Sequence, residues 1–413
     1  MANTTAAPQA SSIAATDGGV TAPFGFQSAA VHCGIKAAQG ALDLAVLAAD
    51  RAISAAALFT TNLVKAAPVR VSQRHLAATD GRVRAIVVNS GCANACTGEA
   101  GMRDAATMAS ETAAGLGCLP EQILVASTGV IGVALKMDLL TPGIRAAARS
   151  LARGKGDEAA RAIMTTDPFP KERAVVVSTG VGQFRVGGMA KGSGMIEPMM
   201  ATMLGFLTTD AAVAPALLHR ALREVAHDTF NAITVDGEPS TNDTLFAMAS
   251  GASGVTIDEA AYPALLDGMR AVSRELSLEI VRGGEGATKV IAVTITGAPS
   301  EADARRVART IANSLLVKTA VHGADPNWGR ILAAAGRSGA IFNPDRATVK
   351  LGGVLLFENG LPHDEAAPEA EKHLQGQQIA IEMDLGFTPG HTATIWTCDL
   401  SAEYVRINGE YRT

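Results

Sequence analysis

The chain has 413 residues, 35 of them basic and 40 acidic for a net charge of −5, with 48% apolar and only 4% aromatic residues. That length allows two or three lobes and a sizeable core, which has to be built from alanine, valine, leucine, isoleucine and methionine. With no basic run and no acidic tail, neither a nucleic acid nor an anionic membrane is an expected partner, and small-molecule chemistry is left.

The first residues, MANTTAAPQASSIAATDGG, lack the basic start and the sustained apolar core of a secretory signal, so residues 1–20 are expected to form a loose tail. Strand-like runs follow at residues 83–88, 123–126 and 174–178. Helical patterns are expected over about 211–228 and 258–281. Another strand at 288–296 leads to Ser300 and Asp303, which mark a helix start, with Val307, Ile311 and Leu315 recurring on one face. Further strands are expected at 347–351, 379–383 and 391–398. Strand and helix do not alternate regularly, so a layered α+β architecture is expected and not a doubly wound parallel sheet. One division, near Thr202, stands out. No apolar stretch reaches the ~20 residues of a spanning helix. Five cysteines (33, 92, 96, 118, 398) are an odd number in a long chain, which points to a reducing compartment, the cytoplasm.

The usual catalytic signatures are absent. There is no GxSxG and no HExxH. Cys92 and Cys96 have the spacing of two ligands on a helix, but no second Cys/His pair accompanies them. GGEGATK (283–289) lacks the spacing of a phosphate loop, and Glu285 would repel a phosphate. Of the eight histidines, His322 alone sits in a glycine-rich polar loop, HGADPNWGR. No metal site is expected.

Three other segments carry more chemistry. ASTGVIG (126–132) ends a strand in a turn that exposes backbone N–H groups and the Thr128 hydroxyl, the donors an oxyanion needs. An ordinary strand-to-helix turn is the competing interpretation. VDGEPSTNDT (235–244), after an expected strand, is either a site loop or a tight turn. KGSGMIEPMMATML (191–204) places Thr202 after a mobile, glycine-containing lead-in. A threonine hydroxyl is a weak nucleophile that needs a base, and its own α-amine can serve once the preceding peptide bond is cut. Such a cut, by an N→O acyl shift, needs a small residue before the bond (Ala201) and backbone freedom upstream (Gly192, Gly194). The alternative is that Thr202 is a satisfied polar residue in a buried element.

Taken together, these segments resemble the ornithine acetyltransferase (glutamate N-acetyltransferase) family of self-cleaving threonine enzymes. The likeness runs from GGVTAPFGF at residue 18 to RINGEYRT at the C-terminus, and KGSGMIEPMMATML resembles the family's scission segment. NSGCANACTG (89–98), STGVIG (127–132), AIMTTD (162–167), TVDGEPSTNDT (234–244), GGEGATK and HGADPNWGR are similar to family motifs too. The chain departs from the family pattern at Cys92, Pro168 and Met199.

The resemblance implies a precursor that cuts itself between Ala201 and Thr202 into an α chain (21–201 after the tail) and a β chain (202–413). It implies a layered α/β sandwich of mixed sheets covered by helices, both chains contributing to one site, and further assembly, such as a heterotetramer of two α and two β chains. The implied reaction moves an acetyl group from N2-acetyl-L-ornithine to L-glutamate, the recycling step of arginine biosynthesis. No cofactor is implied; acetyl-CoA enters as a second donor in bifunctional members. By position, Thr202 matches the nucleophile, Thr128 and Gly129 the oxyanion pair, and Lys191 a lysine suited to a substrate carboxylate. Glu285 matches an acid for the ornithine ammonium, Thr165 a binding threonine, and Asn408 and Thr413 binding positions at an ordered C-terminus. Two other classes stay open at this point: an amidohydrolase or aminopeptidase-like enzyme in which water replaces glutamate, and a non-catalytic binding or assembly protein. A specialised acyltransferase with another donor is a variant of the first.

Overall fold

The computed structural model describes residues 12–197 and 203–410. It is an α+β protein built on two mixed sheets. The larger has nine strands: β1 (Ser12–Thr16), β2 (Phe26–Val31), β3 (Leu44–Phe59), β4 (Arg82–Cys92), β5 (Ile123–Val130), β6 (Lys171–Thr179), β7 (Gly182–Lys191), β8 (Leu204–Thr209) and β9 (Thr244–Ala249). The smaller has six: β10 (Val290–Ala298), β11 (Thr348–Leu351), β12 (Val354–Glu358), β13 (Leu361–Pro362), β14 (Gln378–Asp384) and β15 (His391–Cys398).

In the larger sheet the strand order is β1-β6-β7-β8-β9-β3-β4-β5, with β2 against the first half of β3. Most neighbours are antiparallel; β4–β5 and β8–β9 run parallel. Both faces are covered, so the central strands are apolar on both sides. Val46 and Ala48 of β3, with Val87 and Val125, face the helices Ala67–Ala78, Gly98–Leu116 and Met137–Arg149. Ala45 and Leu47 point the other way, into a core with Met189, Phe206 and Phe246. On β6 and β7, Val177, Phe184 and Val186 pack with Leu276 and Ile280 of the helix Tyr262–Arg282, which also meets Pro215–Asp228.

The smaller sheet keeps a clean period of two: Ile291, Val293 and Ile295 of β10 and Ile379, Ile381 and Met383 of β14 are buried on one face. Against them lie Val307 and Ile311 of the helix Glu301–Ala312. As expected, Ser300 caps that helix, its side chain accepting from the Asp303 N–H. Leu315 does not continue its face. The helix stops at Ala312, Ser314 caps a new one (Leu315–His322), and Leu315 is exposed.

Other expectations shift similarly. The helix expected from 211 begins at Pro215 and that expected from 258 begins at Tyr262, each with proline in its first turn, where its missing N–H costs nothing. The N-terminal stretch is not loose throughout: Ser12–Thr16 pair antiparallel with β6, Thr16 opposite Ala174, and Gly19–Thr21 form a buried 3-10 turn. Backbone hydrogen bonding to an available sheet edge overrides the polar composition. No helix of the described residues is long and apolar enough to cross a membrane.

For function, the main fact of topology concerns β7 and β8. They are antiparallel neighbours with Lys191 opposite Leu204, so the segment singled out for scission is the connection between two paired strands.

Candidate active site

A cavity of about 140 Å³ opens where several strand ends and loops meet. The end of β5 brings Thr128 and Gly129, the end of β7 brings Lys191, and the loop before β9 brings Thr241, Asn242 and Asp243. The turn after the helix Tyr262–Arg282 supplies Glu285, and the C-terminal helix Ala402–Glu410 supplies Tyr404 and Asn408. Thr165 and Thr166 complete one wall. Thr128, Gly129, Thr165, Lys191, Glu285 and Asn408, singled out from the sequence, thus share one cavity. Ala201, Thr202 and Thr413 lie outside the described residues.

Gly129 has a local reason to be glycine. Its φ is +127°, and a Cβ there would sit 2.4 Å from the backbone carbon of Gly91 on β4. No side chain fits so close to a neighbouring backbone. Thr128 stands beside it, its Oγ1 accepting a hydrogen bond from Lys191 Nζ at 3.1 Å. Both residues are only 9% exposed. Burial pulls the Lys191 pKa down from its usual value, and the Asp167 carboxylate opposes that shift.

Asp167 is the hub of one side. Its Oδ1 accepts from Lys171 Nζ at 2.5 Å and from the Gly192 N–H at 2.8 Å, and its Oδ2 accepts from the Thr165 N–H at 3.0 Å. Burial alone would raise its pKa, but Lys171 and Lys191 together hold it down at about 2. Asp243 behaves in the opposite way. Burial dominates, and neither the Ser240 N–H at 3.1 Å nor the Lys191 charge offsets it, so its pKa lies well above the usual carboxylate range.

A second hub fixes the lead-in to the scission segment. Asp236 accepts from the N–H groups of Met195 and Ile196 at 2.7 and 2.8 Å, and from the Tyr404 hydroxyl at 3.2 Å. Burial and then Asp236 push the Tyr404 pKa up, so this hydroxyl stays a donor. Glu197 is held by Arg309 Nη1 at 2.7 Å and by Asn313 Nδ2 at 3.0 Å. Glu285 accepts from Asn408 Nδ2 at 2.7 Å, while its N–H donates to the Ser193 carbonyl at 3.0 Å. A Cβ on Gly194 would lie 2.4 Å from the Glu285 carboxylate, so a larger residue there would push the end of that acid aside.

The sequence VDGEPSTNDT fits either a site loop or a tight turn. It lines the cavity, and Asn242 ties it to β5 by donating to the carbonyls of Ala93 at 2.6 Å and Ser127 at 2.9 Å. What precedes it is a short 3-10 turn, Phe230–Ala232, and not the expected strand. Asp167, Asp236 and Asp243 were not singled out individually; each stands in a segment that was, and the acids within those polar segments were the available signal.

Other candidates lie elsewhere. Cys92 is buried at the end of β4 and Cys96 is exposed in the following loop, so the pair is not on a helix, and no metal-binding cluster occurs among the described residues. His322 Nδ1 lies 2.7 Å from Asp399 Oδ2, and Lys289 Nζ donates to the Val321 and Leu374 carbonyls; these bonds brace the smaller sheet.

The sequence profile of the ArgJ family matches residues 27–413. The arginine biosynthesis bifunctional protein ArgJ of Symbiobacterium thermophilum is 50% identical over 402 residues, covering 96% of this chain and 99% of that protein. The protein of the same name from Dehalococcoides mccartyi is 48% identical over 401 residues, covering 96% and 98%. Among solved structures, ornithine acetyltransferase from Mycobacterium tuberculosis, complexed with ornithine, is 43% identical, with a TM-score of 0.42 over 46% of this chain and 100% of that one. On the extent of the profile match and the identity to full-length relatives, this chain belongs to the ArgJ family.

Proposed function

We propose that the chain transfers an acetyl group from N2-acetyl-L-ornithine to L-glutamate through an acetyl ester on Thr202, after cutting itself between Ala201 and Thr202. The observation that carries this reading is the gathering of Thr128, Gly129, Thr165, Lys191, Glu285 and Asn408 around one cavity at the β7–β8 connection. In the processing step the Thr202 hydroxyl attacks the Ala201 carbonyl carbon and the acyl group moves from N to O. Water then hydrolyses the ester, leaving a carboxylate on Ala201 and a free α-amine on Thr202. The products are an α chain ending at 201 and a β chain of 202–413.

In the transfer step that amine accepts the proton of Thr202 Oγ as the oxygen attacks the acetyl carbonyl. The Thr128 hydroxyl and the Gly129 N–H take the negative charge of the tetrahedral intermediate. The C–N bond breaks, the proton passes to the leaving amine, and ornithine departs. The glutamate amine then attacks the ester, releasing N-acetylglutamate and restoring the hydroxyl. Lys191 suits the substrate α-carboxylate and Glu285, held by Asn408, suits the ornithine ammonium. Thr165 and Thr413 are the remaining substrate contacts of this reading.

The chemistry needs no cofactor; acetyl-CoA serves as a second donor to the same ester. The α and β chains form one site and assemble further as a heterotetramer. The cytoplasm is the proposed compartment, supported by five cysteines that are all free thiols. A hydrolase in which water takes the place of glutamate is not favoured, because relatives matching 96% of the chain carry the arginine biosynthesis name. Thr202→Ala tests the reading: on a denaturing gel it leaves one intact chain and supports no transfer, whereas Thr202→Ser retains part of both. Normal fragments from the alanine variant would overturn it.

A further inference from the structure

We propose that Lys191 acts on the reaction through Thr128, donating to Oγ1 so that the threonine hydroxyl hydrogen is turned toward the cavity and strengthened as an oxyanion donor. The inference rests on the reading above of Thr128 as an oxyanion donor. An ammonium nitrogen can only donate, so at 3.1 Å Thr128 Oγ1 must be the acceptor. A hydroxyl has one hydrogen and two lone pairs; with one lone pair occupied by Lys191, its hydrogen is left for an acceptor elsewhere. Both side chains line the cavity and both are 9% exposed, so that acceptor can be the developing oxyanion, at a place where water screens little.

The base of Lys191 is firmly held. It ends β7, its backbone pairs with Leu204 of β8, and the adjacent Ala190 pairs with Lys171 of β6. The Asp167 carboxylate supports the Lys191 charge yet directs its own oxygens to Lys171, Gly192 and Thr165, which leaves the ammonium to Thr128 and the cavity. A donor that is itself charge-assisted is stronger than a neutral hydroxyl. One of the three ammonium hydrogens goes to Thr128, and among the described residues Nζ has no second hydrogen-bond acceptor, so the others can serve a substrate carboxylate. The two roles therefore coexist, and Lys191 is a positioning residue for Thr128.

Self-cleavage separates them, because it needs the oxyanion donor but involves no substrate. Full-length wild type, Lys191→Met, Thr128→Ala and the double variant are compared for scission rate on denaturing gels, for kcat and KM of acetyl transfer, and for melting temperature. Lys191→Met is expected to slow scission and kcat by about tenfold or more at an unchanged melting temperature. In the Thr128→Ala background the same change is expected to cost less than about threefold. Lys191→Arg, which keeps charge and donors, recovers part of the rate. If Lys191→Met melts early, Lys191→Gln runs the same cycle with a neutral donor in place. Equal losses in both backgrounds, or normal scission with only KM raised, would overturn the proposal. A wild-type chain that never cuts would instead defeat the function proposed above.

Discussion

Asp167 and Lys171 form an ion pair in which both side chains are fully buried, with Nζ 2.5 Å from Oδ1. The same carboxylate accepts from the backbone N–H groups of Thr165 and Gly192. One acid thus joins the wall carrying Thr165 to the residue that follows Lys191, at the point where β7 leaves the sheet.

Removing one partner of that pair should be far worse than removing both. Lys171→Met leaves a buried carboxylate without its ion-pair partner, and the expected loss is about 3–5 kcal/mol in urea unfolding. Lys171→Met with Asp167→Leu should recover most of that stability, since no buried charge remains, but not the activity, because the Thr165 and Gly192 N–H groups lose their acceptor. Equal stability of the single and double variants would contradict this.

Asp167 also sets a pH dependence. Its folded pKa, about 2, lies below the ordinary 3.8, so its contribution to stability is present above about pH 4 and fades as pH falls toward 2. The contribution is about 2 kcal/mol. Unfolding midpoints measured from pH 5 to 2 should fall more steeply for wild type than for Asp167→Asn.

Asp243 works with the opposite sign. Its folded pKa is raised, so its contribution is fully present below the unfolded value of 3.8 and is lost as pH rises above that. Asp243→Asn removes this dependence. The melting temperature of the variant minus that of wild type should therefore increase from pH 4 to pH 8, by several degrees. A constant difference would mean that the carboxyl is not held protonated.

Glu285 and Asn408 should act together on the donor amino acid. Glu285→Ala is expected to raise KM for N-acetylornithine much more than for acetyl-CoA. Asn408→Ala, which frees the Glu285 carboxylate from its 2.7 Å bond, should raise the same KM about fivefold. Equal effects on both donors, measured by steady-state kinetics, would show that Glu285 does not read the ornithine side chain.

Much of this was legible from local pattern. The strand His391–Cys398 and the cap at Ser300 follow from periodicity and capping chemistry, which depend only on near neighbours. Leu315 misled because the helical period continues numerically across Ala312 and Ser314 although the backbone restarts there. Ser12–Thr16 misled because its strand exists only through pairing with β6, far along the chain. The site shows the same division. Thr128, Lys191 and Glu285 sit in motifs that can be quoted, but the Lys191–Thr128 bond and the hubs at Asp167 and Asp236 are tertiary contacts, set by β-pairing and by the loop before β9. Spacing in one sequence carries no record of them.

The most direct measurement is mass spectrometry of purified protein, with and without N-acetylornithine. The account predicts a fragment beginning TMLGF at Thr202, and on that fragment, after incubation with the donor, an added mass of about 42 Da for one acetyl group. An active preparation that contains only the uncut 413-residue chain, or that carries the acetyl group on the upstream fragment, would contradict it.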